Sequence, residues 1–448
     1  MKDGFIRATE NAFQVRGQDL YLKSIGIGSF LNHEFFMLGL YGTDADIRRC
    51  IEKVHGKENA RTFWNEYYQR FLGEADIRFI KELGFNSIRL SFSWRIFESD
   101  AGDGAFDEKG FAQLDRIVRL CREHGIYAIL DMHSAPGGQN PDWHSDNPTG
   151  VSLLWEFPEL KRKTISIWQR IAHHYRDDPW IGGYDLLNEP VIHPERAGEV
   201  DRLYHDLVAA VRKEDLNHLC LIEGFFYGGT FKRYTPVDDE NTAYSPHIYP
   251  FFHYLGRSDE ELAALDPAEE QRIGESYLAS EEFQHVRNVL KRPMWCGETG
   301  TFYCPELGNT EFHLKMFQGF LGLLRKHRIP WSFWTYKDIG QMGLMRMKQG
   351  TAWMKMAARL QSDVSFIQES RLLQAEDERL KQYAFPIDPY TKHILKRRTI
   401  ADQQMIMTEK MESVLAGIPF PELLASTGDF RFANCEPQPE LVRMLRDA

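Results

Sequence analysis

Eight short apolar runs punctuate the first three quarters of the chain, at residues 21–28, 86–91, 126–131, 182–187, 218–223, 243–247, 293–296 and 330–336. Each has the length of a strand buried on both faces, and the segments between them carry apolar residues at intervals of three and four. Val200, Leu203, Tyr204, Leu207, Val208 and Val211 form one such stripe, and Ile165, Trp168, Ala172 and Tyr175 another; each marks the buried side of a helix. Eight strands alternating with helices predict an α/β fold, the (β/α)8 TIM barrel. The competing arrangement, a doubly wound open sheet, usually has a glycine-rich phosphate loop after its first strand. Here Gly26, Ile27, Gly28 and Ser29 run into Phe30 and Leu31 without the third glycine.

Two stretches exceed what a minimal barrel needs. Residues 29–84 separate the first two strands and predict a helix near 44–54 and another over 63–83, the former an insertion above the catalytic end of the barrel. Residues 342–448 follow the last strand, with helical patterns at 351–360 and 400–415 and a charged stretch at 368–398. With no clean linker, the expected organisation is a catalytic barrel over 1–360 and a helical C-terminal extension over 361–448 packed on it.

Composition narrows the function. The 448 residues carry a formal net charge of -11, which opposes binding to nucleic acid or an anionic membrane and favours a neutral polar substrate. Residues 1–17 contain Lys2, Asp3, Arg7, Glu10 and Arg16 and no apolar stretch, so a cytoplasmic location is expected. The six scattered cysteines, Cys50, Cys121, Cys220, Cys296, Cys304 and Cys435, read as free thiols rather than a disulfide framework.

Just past the end of two of the eight runs stands a glutamate: Asn188, Glu189 and Pro190 close the fourth, and Gly297, Glu298, Thr299 and Gly300 close the seventh. Carboxylates are depleted from strands, and a core-facing one is costly unless it is paired or used. In a barrel every downstream strand tip points at one site. Three strand and helix units separate the fourth and seventh strands by roughly 95 residues in a barrel of standard size, and the two glutamates lie roughly 110 apart. Paired carboxylates at one site suggest glycoside hydrolysis.

Other strand tips add Arg89, His133, His247, Tyr249 and Trp334. With Asn188, Glu189 and Glu298 they make eight positions in order, over about Leu20 to Trp353, and in these the chain resembles glycoside hydrolase family 5, the cellulase-like family. The resemblance implies retention of anomeric configuration, with Glu298 the nucleophile and Glu189 the general acid and then base. It implies that Arg89 keeps Glu298 ionised, that Tyr249 orients it, that Asn188 bonds the sugar 2-hydroxyl and that Trp334 stacks beneath the sugar. His133 and His247 are expected to hydrogen-bond substrate hydroxyls or the glutamates. Zinc is not expected, because metal-dependent barrel hydrolases usually carry His-x-His on strand one, where this chain has Gly26, Ile27 and Gly28; no cofactor is expected either. His173 and His174 follow a helical stripe and read as surface or core.

The segment 135–147 resembles the Ala-Pro-Gly-x-Gln-Asn loop of the family's exo-acting glucanases, which implies that Gln139, Asn140, Trp143 and His144 line the substrate pocket. Glu34 falls where those relatives bind the terminal sugar, although Asn32 and His33 depart from their pattern. A long first loop and this third loop favour a closed pocket, hence a β-glucosidase-like activity on oligosaccharides or small glycosides. β-Mannosidase and endo-β-glucanase are the competing specificities. A catalytically silent sugar-binding barrel is the non-enzymatic alternative, and it would be expected to have lost one glutamate.

Overall fold

The computed structural model describes residues 2–98, 105–254, 258–265, 269–302, 310–360, 375–376, 378–382 and 387–448. Cys304 and residues 361–374, part of the expected extension, lie outside them. The eight apolar runs form β1 (Lys23–Leu31), β2 (Ser87–Ser93), β3 (Tyr127–Ser134), β4 (Ile181–Asp185), β5 (Cys220–Glu223), β6 (Thr242–Ser245), β7 (Cys296–Thr299) and β8 (Trp331–Phe333). All are parallel, in the order β7-β8-β1-β2-β3-β4-β5-β6. Between β6 and β7 the sheet closes through the bridges Tyr244 to Met294 and His247 to Glu298. The protein is a (β/α)8 barrel.

Strand alternation sorts the side chains. Leu90, Leu130, Tyr184 and Ile222 join the main core with helix residues such as Ile117, Trp168 and Leu207, while Arg89, Asp131, Asp185 and Glu223 meet inside the barrel as the two-residue period requires. The opposite end of the barrel is sealed by Ile6, Phe13, Leu22, Leu219, Ala243 and Trp295. Ile6 and Phe13 come with a three-stranded antiparallel sheet, Arg7–Ala8, Phe13–Val15 and Gln18–Leu20, whose strands are too short to register as hydrophobic periodicity.

The insertion after β1 holds the helices Phe35–Leu38, Asp44–His55 and Lys57–Phe71, followed by Glu74–Glu82. The single helix expected over 63–83 is therefore two. Gly73 donates its amide to Asp76 Oδ2 at 2.9 Å, so the carboxylate caps a new helix start and ends the continuity. The C-terminal helix Pro389–Ala416 lies against Asp44–His55, with Lys53 Nζ 2.6 Å from Glu412 Oε2. Further on, Phe430 packs edge-on against Tyr67 and Trp353, with ring centroids 5.0 and 4.7 Å away.

Lys337, just after β8, ties these parts together. It is fully buried and its ammonium donates to Phe71 O at 2.6 Å, Asp76 Oδ1 at 2.7 Å and Phe430 O at 2.8 Å, so one cation satisfies the insertion, the first barrel helix and the C-terminal segment. Removing one partner of a buried ion pair leaves the other charge uncompensated. Lys337→Met is expected to cost about 3–5 kcal/mol, read as a lowered denaturant midpoint at unchanged slope.

Candidate active site

The site is organised around Arg89 on β2. Its guanidinium donates from Nε to Asp185 Oδ2 (2.7 Å), from Nη2 to Glu223 Oε1 and Asn188 Oδ1 (both 2.8 Å), and from Nη1 to Glu298 Oε1; Asp131 Oδ1 lies 3.2 Å from Nη2. Arginine suits this position because its planar fork serves several acceptors at once and stays charged when buried. Glu298 projects from β7, and its Oε2 accepts from the Tyr249 hydroxyl at 2.7 Å. Burial and the Glu298 charge hold the Tyr249 phenol well above its usual range, so it remains a donor at all ordinary pH.

Glu189 follows β4 in a left-handed backbone conformation, φ 48°, uncommon for a residue with a side chain. Its amide is held by Glu223 Oε2 at 2.7 Å and its carbonyl by Asn140 Nδ2 at 3.0 Å. Its carboxylate meets His247 Nδ1 at 2.8 Å and His144 Nε2 at 3.1 Å. Burial would raise this carboxyl, but the hydrogen bonds and charges of the two imidazoles outweigh it and hold it well below the usual carboxylate range. The histidines answer: burial opposes their charge, yet Glu189 pushes His144 up to about 9, and Glu223, Glu298 and Glu189 raise His247 further. Carboxylate oxygens of Glu189 and Glu298 and a nitrogen of His247 all lie within 4.8 Å of one another.

These groups open into a cavity of about 480 Å³ that Glu34, His133, Trp143, His144 and Trp334 also line. Trp334 stacks on the His133 ring, centroids 5.1 Å apart and planes 7° from parallel. Room for the indole comes from β1, where a Cβ at Gly26 or Gly28 would approach it to 2.4 or 2.9 Å; these are the glycines that fail as a phosphate loop. His133 Nδ1 is fixed by Asp131 at 2.8 Å and its Nε2 lies 3.7 Å from Glu34 Oε1. Burial pushes the Glu34 carboxyl up to about 7.

Gln139 and Asn140 are the exceptions among the residues expected to line the pocket: they stand behind its wall. Gln139 donates to His133 O at 2.8 Å and Asn188 O at 2.7 Å, and Asn140 secures Glu189, so both brace the loop that carries Trp143 and His144. Asn188 is fully buried behind Arg89, its Nδ2 without an acceptor among the described residues. His174 stacks on Phe111 at a ring distance of 3.9 Å, outside the site.

The sequence reading missed the buried acids Asp131, Asp185 and Glu223, although the argument that singled out Glu189 applies equally to Glu223 at the end of β5. It also missed Phe226, Tyr227, Phe252 and Arg397, which line the same cavity. Arg397 comes from the C-terminal helix, and nothing in the sequence pattern connects it to the barrel.

The sequence model of cellulases, glycosyl hydrolase family 5, matches residues 50–340. The chain belongs to glycosyl hydrolase family 5. It is 34% identical over 349 residues to a β-xylosidase of Phanerodontia chrysosporium, covering 75% of this chain and 71% of that one, and 27% identical over 312 residues to endoglucanase C of Acetivibrio thermocellus, covering 62% and 88%. A solved endogalactoceramidase shares the fold with a TM-score of 0.55 at 19% identity, over 75% of each chain. Thermotoga maritima Cel5A in complex with cellobiose does so with a TM-score of 0.52 at 18% identity, over 72% of this chain and 92% of that one. As a member of the family the protein is a glycoside hydrolase, and among its described residues no helix is long and apolar enough to cross a membrane.

The imidazolium beside Glu189 makes stability depend on pH. With its pKa raised from 6.5 to about 9, His144 contributes fully below pH 6.5 and loses that contribution as pH rises through about 9, a change on the order of 3 kcal/mol. Unfolding free energies measured across that window are expected to fall more steeply for the wild type than for His144→Asn.

Proposed function

We propose that this β-glycosidase works with retention of configuration, Glu298 attacking the anomeric carbon and Glu189 serving as acid and then base. One observation carries the reading: oxygens of the two carboxylates lie within 4.8 Å of each other. A retaining pair stands about 5 to 5.5 Å apart, whereas an inverting pair needs about 6.5 to 9.5 Å to admit water. Arg89 and Tyr249 supply three features a nucleophile needs: positive charge, a hydrogen bond and a fixed direction. Glu298 is thereby held between a cation and a hydroxyl donor.

Glu189 needs a proton to release the leaving oxygen. In the free pocket it is ionised between His144 and His247, so in this reading the proton reaches it from those imidazoles as it passes one on. Formation of the glycosyl-enzyme consumes the Glu298 charge, and Glu189 then draws a proton from water for the second displacement. In this reading Asn188 Nδ2, which has no acceptor among the described residues, serves the sugar 2-hydroxyl, and Trp334 provides the ring beneath the sugar.

For specificity we favour a β-glucosidic bond cleaved one sugar at a time. The support is a cavity closed by the loop at 135–147 and holding the buried carboxyl of Glu34, a polar group suited to hydroxyls of a terminal sugar. The relative named β-xylosidase makes a β-xyloside the second reading. We place the protein in the cytoplasm, supported by the five described cysteines, all buried and none in a disulfide. We also treat the segment after residue 360 as an extension of the barrel, on the strength of its contacts with the insertion helices.

The test is a panel of aryl β-glucosides, xylosides, mannosides and galactosides with Glu298→Ala and Glu189→Ala. Both variants are expected to lose hydrolysis, Glu189→Ala by about 10²–10⁴-fold on poor leaving groups. Added azide should give a glycosyl azide of inverted configuration with Glu298→Ala and of retained configuration with Glu189→Ala. The opposite pairing of products would exchange the two roles.

A further inference from the structure

Around the acid lies a part of the pocket that hydrolysis itself does not require. A general acid must stand at the glycosidic oxygen, so whatever flanks Glu189 towards the mouth faces the leaving group. That flank is Phe226, whose amide donates to Pro190 O at 2.7 Å, and Tyr227, whose ring lies 6.4 Å from that of His144. Both residues adopt left-handed backbone conformations, φ 57° and 58°. Two consecutive side chains in that region are rare, and such conformations persist only where their surroundings impose them.

The surroundings here come from two directions. Gly228 donates to Gly224 O at 3.0 Å and closes the turn. The C-terminal helix then presents His393 and Arg397, four residues apart and therefore on one face. His393 Nε2 lies 2.7 Å from the Tyr227 hydroxyl, with its ring 5.5 Å from Phe226, and Arg397 Nε lies 2.8 Å from Asp142 Oδ1. Tyr227 also hydrogen-bonds Asp142. A helix outside the barrel thus fixes the rings at the mouth of the pocket in advance of binding, which lowers the cost of capturing a ligand there.

We propose that this flank, with Phe226, Phe252 and Arg397, is a subsite for a flat aromatic aglycone, so that the natural substrates are aryl β-glycosides rather than oligosaccharides. The inference rests on the reading of Glu189 as the acid. A second sugar would bring several hydroxyls that need partners, but Tyr227, Asp142 and Arg397 already engage one another. What the mouth offers is apolar face: Phe226 is 38% exposed and Phe252 51%. Of the three phenylalanines that exposed among the described residues, Phe157 alone lies elsewhere, and exposed aromatic surface gathered at a pocket marks a binding face. The guanidinium of Arg397 suits the same ligand, since an arginine already held by a carboxylate still offers its planar face for stacking on an aromatic ring.

The test compares three substrates of one glycone: the β-glycosyl fluoride, which has no aglycone ring, the 4-methylumbelliferyl β-glycoside, and a β-linked disaccharide. For Phe226→Ala and Phe252→Ala, kcat/KM on the umbelliferyl glycoside relative to that on the fluoride is expected to fall at least tenfold, mainly through KM, while the corresponding disaccharide ratio changes less than twofold. Phe226→Leu, which keeps bulk and removes the ring, should show the same direction and guards against misfolding of the alanine variant. An unchanged umbelliferyl ratio would overturn the proposal, and so would an equal fall for the disaccharide, which would make the subsite one for sugar. If the wild type hydrolysed neither the fluoride nor the glycosides, the catalytic reading itself would fail and the subsite with it.

Discussion

A single buried guanidinium holds the catalytic end of this barrel together. Arg89 reaches Asp131, Asp185, Glu223 and Glu298 from four different strands, and four carboxylates around one cation would repel strongly without redistribution of protons. Burial and the Glu223 charge raise Asp185 well above the ordinary range, whereas Arg89 and His133 overcome burial and lower Asp131. The acids of the cluster are thereby driven in opposite directions, Asp185 towards its neutral form and Asp131 towards its charged one, while the surrounding carboxylates outweigh burial and favour the charged forms of His133 and His247. Buried charge on this scale is weak evidence for stability; its visible effect here is on geometry, because the members of the cluster fix different functional groups. Asp131 sets His133, Glu223 sets the backbone of Glu189, and Arg89 itself sets Glu298 and Asn188.

That arrangement explains how far the sequence could be read. The barrel was legible because strands buried on both faces leave continuous apolar runs, and all eight were found, with ends displaced by one to three residues in most of them. The chemistry was legible where a carboxylate interrupted such a run. Glu223 interrupts β5 in the same way, yet without a family position to match it went unremarked. The N-terminal sheet is made of strands of two or three residues, below the length at which alternation has meaning. The break between the insertion helices depended on one capping contact, Gly73 to Asp76, that periodicity cannot register.

The pocket mouth illustrates a different limit. Gln139 and Asn140 belong to the right loop, but position in a loop does not say which side of it a residue serves; both proved to be braces. Conversely, Phe226 and Tyr227 sit in an ordinary-looking run, Gly-Phe-Phe-Tyr-Gly-Gly, and only the backbone angles reveal that the run turns outward. Arg397 lies more than two hundred residues from Asp142 in sequence, a contact of the kind that only tertiary structure creates. Specificity in barrel enzymes resides in such additions, while the strand tips keep the reaction constant.

The closure between β6 and β7 gives Glu298 a second duty. The bridge that pairs His247 with Glu298, with Ile248 N donating to Glu298 O at 3.0 Å and Gly297 N to Pro246 O at 3.0 Å, is the seam where the sheet meets itself. The residue proposed as the nucleophile is thus also a rivet of the cylinder. Any breathing of that seam moves the Glu298 carboxylate relative to the pocket, so in the proposed mechanism the stiffness of the joint and the reach of the attacking oxygen are one mechanical property.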